Sequence, residues 1–148
     1  MSAFLLMLQA VSQNIALFCC ALFAGGSAYI SLVEDPAIAK VDSDFSGPYT
    51  QMLHPRPAIF LATAAGLGAL MGVVHGAAGG TIWWSLGGLL LGSAALMYLV
   101  LLIPEARRIA RGSAGAEAQA TLRTRMRRWH AALTLSGLVS LAMFIVQT

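Results

Sequence analysis

Charge is what this chain has least of. Asp, Glu, Lys and Arg make up 10% of its 148 residues, where a soluble domain needs roughly 25% to cover its surface. That shortfall excludes a soluble fold. Cysteine is scarce as well: Cys19 and Cys20 stand side by side, with no CxxC or zinc spacing. Helical neighbours point about 100° apart, so the pair does not converge on a metal and reads as small packing residues. The HxxxH and ExxH repeats that usually build di-metal bundles are missing too. No Lys or Arg precedes the first apolar stretch, so the start of a cleavable signal peptide is lacking and this segment is expected to be retained.

What the chain does have is apolar length. Hydrophobic residues reach 58% and mean hydropathy is +0.76, gathered into four stretches near 10–33, 57–77, 82–103 and 129–147. About 20 apolar residues per helix are needed to cross a bilayer core of roughly 30 Å. The expectation is a single all-α domain over 1–148, an integral membrane antiparallel four-helix bundle. A loop at 34–56, a four-residue turn and a basic segment at 104–128 connect the spans.

Local signals place the ends. Apolar character begins near Ala3, is interrupted by Gln9, Ser12, Gln13 and Asn14, and resumes over Ile15–Val33. Glu34-Asp35-Pro36 is predicted to end this helix, because proline cannot donate the next helical hydrogen bond. Pro104 is predicted to end the third for the same reason. Ala78-Gly79-Gly80-Thr81 is too short for anything but an antiparallel turn. Trp83 and Trp84 after it, and Trp129 at the opposite edge, read as aromatic belts. Gly68, Gly72 and Gly76, and then Gly88 and Gly92, recur every fourth residue, a stripe that lets helix backbones touch in lipid.

Seven of the nine basic residues lie between the last two spans: Arg107, Arg108, Arg111, Arg123, Arg125, Arg127 and Arg128. The net charge of +3 and a pI near 9.3 therefore describe a membrane flank, and a nucleic-acid partner is excluded for want of a soluble basic face. Arginine clusters resist translocation. The first and third connections are thus expected in the cytoplasm, with both termini on the non-cytoplasmic side of a bacterial inner membrane.

Topology restricts which polar groups can meet. Glu34, Asp35, His54, Arg56, Arg127, Arg128 and His130 fall at the cytoplasmic rim, with Ser27, Tyr29 and Ser31 leading deeper. His75 lies 21 residues beyond His54, roughly 30 Å along a helix and at the other edge, so it reads as an interfacial residue. Two readings of the rim stand side by side. In one, Glu34, His54 and His130 form a reactive site beneath a lipophilic pocket, as general base or metal ligands. In the other, Glu34 and Asp35 pair with Arg127 and Arg128 to fix helix ends. The sequence requires no cofactor, and whether a metal is held at Glu34, His54 and His130 stays open.

The stretch from Ala24 through Tyr29 to Val33-Glu34-Asp35-Pro36-Ala37 resembles the first helix of the anthrone oxygenase-like family of small four-helix membrane proteins. Tyr49-Thr50-Gln51-Met52 and Arg128-Trp129-His130 are similar to later parts of that family. Asp35 stands where a histidine is common there, and Ile38 where an arginine is common. The resemblance implies an oxidoreductase acting on an anthrone- or quinol-like aromatic. Glu34, His54 and His130 would be catalytic, and Tyr29, Asp35, Arg127, Arg128 and Trp129 would bind substrate. Glu34 or His54 would take the substrate proton, and Arg127 or Arg128 would hold the oxyanion. The other reading of the same features is an accessory or scaffold subunit, as a homo-oligomer or within a larger membrane complex.

Overall fold

The computed structural model describes residues 2–38, 40, 55–110 and 116–147, and among them the only regular secondary structure is helical. Helix α1 runs over Ala3–Ile38, and α2 over Pro55–Ala77. Helix α3 comprises Ile82–Met97, a π turn at Tyr98–Leu102, and Ile103–Ala110. Helix α4 is Ala116–Ile145. Each of the four contains a segment long and apolar enough to cross a membrane. Phe4, Phe18, Leu32, Phe60, Leu89, Val100 and Leu135, each more than half exposed, lie on the outside of the bundle. Such a surface suits hydrocarbon rather than water.

Each helix packs on its neighbours in sequence, and α1 packs on α4, closing a ring. Neighbours are antiparallel: Gln9 near the start of α1 meets His75 near the end of α2, and Asp35 near the end of α1 meets His130 in α4. The turn between α2 and α3 closes with the Gly80 amide on the His75 carbonyl. Gly79 in that turn takes a φ of +108°, a conformation open to glycine and strained for other residues.

The glycine stripes are spent within the chain. A Cβ on Gly88 would stand 2.8 Å from the Ala69 carbonyl oxygen, and one on Gly72 would stand 3.2 Å from the Gly88 Cα. The α2 and α3 backbones therefore touch, which gives close van der Waals packing where lipid supplies no hydrophobic drive.

Two expected helix ends are overturned. The first helix does not stop at Glu34-Asp35-Pro36, and the third does not stop at Pro104. In both, a π turn ends two residues before the proline: Ile30–Glu34 before Pro36, and Tyr98–Leu102 before Pro104. The amide just ahead of each proline bonds five residues back, Asp35 to Ile30 and Ile103 to Tyr98. A proline ring collides with the carbonyl four residues behind it in a regular α-helix. The wider turn relieves that collision, so the helix continues.

Trp84 and His75 also depart from expectation. Trp83 is 47% exposed at the edge, but Trp84 is 1% exposed and stacks on Phe144 at 4.7 Å and 11°. His75 is buried against it, ring centroids 4.3 Å apart. Its Nδ1–H donates to the Gln9 carbonyl at 3.0 Å. Helix periodicity turns one of two adjacent tryptophans inward, and the short turn folds back over the histidine, so both face the core at this end of the bundle.

Candidate functional site

The arginine-rich end of the bundle collects the titratable groups that the π turn carries past the apolar span. Because α1 continues to Ile38, Asp35 stays on a helix face directed at α4. His130 lies opposite, and its Nδ1–H donates to Asp35 Oδ2 at 3.0 Å. The two side chains are 4% and 11% exposed. A carboxylate and an imidazole removed from water in this way hold each other's orientation, and pairing fixes the ring proton on Nδ1.

A hydroxyl pair braces the contact one turn deeper. Thr134 Oγ1–H donates to the His130 carbonyl, and Ser31 Oγ–H therefore donates to Thr134 Oγ1, both at 2.9 Å. Further in, Cys20 and Phe23 of α1 pack on Gly137. The α1–α4 seam is thus fixed at several levels below the pair.

His130 and Asp35 face different spaces. His130 lines a cavity of about 10 Å³ inside the ring, together with Ile30, Pro57, Tyr98, Leu102 and Met126. That is about the room one water needs. Asp35 lines an outer cleft of about 300 Å³ between α1 and α4, with Ser31, Thr124, Arg127, Arg128 and Ala131. Of these two spaces, the cleft is the one with room for a ligand of two or three rings. Both π turns lie at this level, since Ile30 and Tyr98 begin them and both line the inner cavity.

The expected site residues divide. Asp35, Arg127 and Arg128 share the cleft, and His130 stands behind Asp35. Glu34 is half-buried and within electrostatic range of Asp35 and His130, but it does not line the cleft. The expected pairing of Asp35 with an arginine is replaced by its bond to His130, because α4 turns the histidine inward and leaves Arg127 and Arg128 exposed. Tyr29 is 59% exposed on the outer face, so the polar track inward runs through Ser27 and Ser31 without it. Trp129 is half-buried against the core, its indole N–H enclosed without a hydrogen-bond partner. His54 lies outside the described residues, as do Tyr49–Met52. Among the described residues, no three His, Cys, Asp or Glu side chains converge as a metal site.

Sequence reasoning passed over Tyr98 and Thr134. Tyr98 is 1% exposed, its ring centroid 6.3 Å from that of His130. Its hydroxyl and that of Ser27 are both buried without a hydrogen-bond partner. The available signal was its place six residues before Pro104, matching Ile30 before Pro36. Thr134 could have been found as the residue one helical turn after His130.

Compared with known protein families, curated proteins and solved structures, the chain matches none.

Proposed function

We propose that this protein is a membrane-embedded oxidoreductase of the anthrone oxygenase-like kind, acting on a lipophilic, weakly acidic aromatic held in the α1–α4 cleft. One observation supports this above others: a buried Asp35–His130 pair opens onto a cleft flanked by Arg127 and Arg128. The arginine-rich rim would face the cytoplasm, with both termini outside.

The chemistry follows from the charges. A methylene flanked by aryl rings and conjugated to a carbonyl is acidic enough for a carboxylate to deprotonate once its anion is stabilised. Asp35 faces the cleft and takes the proton, and His130 holds the carboxylate in place as a positioning residue. Arg127 and Arg128 offset the charge that develops on the substrate oxygen. The anion then passes electrons to O₂. In the net change CH₂ becomes C=O, one oxygen atom of O₂ enters the product and the other leaves as water. This assignment moves the base from Glu34 or His54 to Asp35, since Glu34 is not in the cleft lining.

The test is O₂ consumption by the purified protein with an anthrone. Asp35→Asn should slow turnover by about 10²–10⁴-fold, the usual share of a general base, and Glu34→Gln should change it little. An Asp35→Asn protein with the unaltered rate would remove the proposed base. Absence of turnover in the unaltered protein, together with stable co-purification of a larger assembly, would favour the accessory-subunit reading.

A further inference from the structure

The same cleft has a second chemical character, which does not depend on the reaction proposed above. We propose that it is a specific binding site for the phosphate headgroup of an anionic phospholipid, seated between α1 and α4 with an acyl chain running down the outer seam.

Charge is the first argument. Arg127 and Arg128 both line the cleft and both are exposed, so each guanidinium can present its donors without loss of an existing core contact. The one carboxylate present, Asp35, has Oδ2 bonded to His130 and its side chain 11% exposed. Arg127 and Arg128 outnumber this single carboxylate in the lining. Guanidinium groups suit phosphate oxygens through paired N–H donors.

Shape is the second argument. The lining includes Ala131 and Ser31, two small residues, which leave the space of about 300 Å³ open. One turn further along α4, away from the arginines, stands Leu135, 64% exposed, and on the α1 side stands Leu32, 75% exposed. A ligand seated here meets arginines at one end and exposed leucines at the other, which is the polarity of a phospholipid at the edge of a bilayer. A free phosphate would use the upper half alone. Arg107 and Arg125 do not line this cleft.

Delipidated full-length protein in detergent, titrated with phosphatidylglycerol or phosphatidylcholine and read by native mass spectrometry, tests the proposal. One phosphatidylglycerol should be retained per chain at least about tenfold more tightly than phosphatidylcholine. Arg127→Gln and Arg128→Gln should each weaken it about fivefold, the usual effect of one basic residue near anionic lipid. Ala131→Leu, on an exposed position, fills the cleft without changing charge and should weaken it at least as much. Arg107→Gln should weaken it less than about twofold. Equal retention of the two lipids, an equal loss with Arg107→Gln, full retention in Ala131→Leu, or binding of inorganic phosphate as tight as that of the lipid would each overturn the proposal. None of these readouts involves turnover, so the site stands or falls apart from the reaction.

Discussion

Two ion pairs among the described residues differ sharply in the exposure of the basic partner, and a pair of double-mutant cycles measures the consequence. Asp35 and His130 are 11% and 4% exposed at 3.0 Å. Glu105 is 12% exposed but its partner Arg125 is 58% exposed, at 3.5 Å. Removing the buried His130 leaves a mostly enclosed carboxylate without its partner, a loss of up to about 3–5 kcal/mol, the scale of a broken buried pair. Removing both His130 and Asp35 leaves space but no orphaned charge, so the double variant should be less damaged than the sum of the singles. The expected coupling is about 2–3 kcal/mol, the scale of a hydrogen bond to a charged group. For Arg125 and Glu105 the guanidinium is 58% exposed, so its removal opens Glu105 Oε1 to solvent. Water takes over most of what Arg125 gave, so coupling should be about 0.2–1 kcal/mol. Unfolding of Asp35→Ala, His130→Ala, Glu105→Ala, Arg125→Ala and the two double variants, by SDS added to mild-detergent micelles, gives both numbers. Contacts of His130 with Tyr98 drop out of the cycle if they do not depend on Asp35. Equal coupling for the two pairs, or less than about 0.5 kcal/mol for Asp35–His130, would refute the reasoning from burial.

Two further outcomes follow from the packing and the charge pattern. Gly88→Ala places a methyl 2.8 Å from the Ala69 carbonyl oxygen and 3.0 Å from the Val73 nitrogen, backbone atoms that cannot step aside. It should cost about 1–3 kcal/mol, whereas Gly25→Ala meets nothing within 4 Å and should gain up to about 1 kcal/mol of helix propensity. Unfolding midpoints that move in the same direction would contradict the α2–α3 backbone contact. In intact cells, a membrane-impermeant maleimide should label Thr81→Cys directly and Arg107→Cys only after permeabilisation. Cys19 and Cys20 are 6% and 0% exposed and should give little background. The reverse pattern would invert the proposed orientation and leave the bundle unchanged.

How many helices there are, and their apolar lengths, was legible in the sequence because both follow from one-dimensional quantities, the spacing of charges and the length of uncharged runs. The turn at Ala78–Thr81 was legible for the same reason, since four residues cannot do anything else. The candidate site was legible only as a rim: Asp35, Arg127, Arg128 and His130 were named, but Asp35 was paired with the arginines and not with His130. Partner choice depends on helix rotation. The π turn at Ile30–Glu34 adds a residue to one turn and so resets the face that Asp35 presents. A proline announced the break in each helix and concealed the continuation. Likewise, only packing could decide which of Trp83 and Trp84 faces the core, or that His75 is enclosed by the turn beside it. Hydropathy alone decided that the chain is built for a bilayer. The rotation of α1 against α4, set by close packing at Gly137 and by the Ser31–Thr134 hydroxyl pair, decided that Asp35 meets His130.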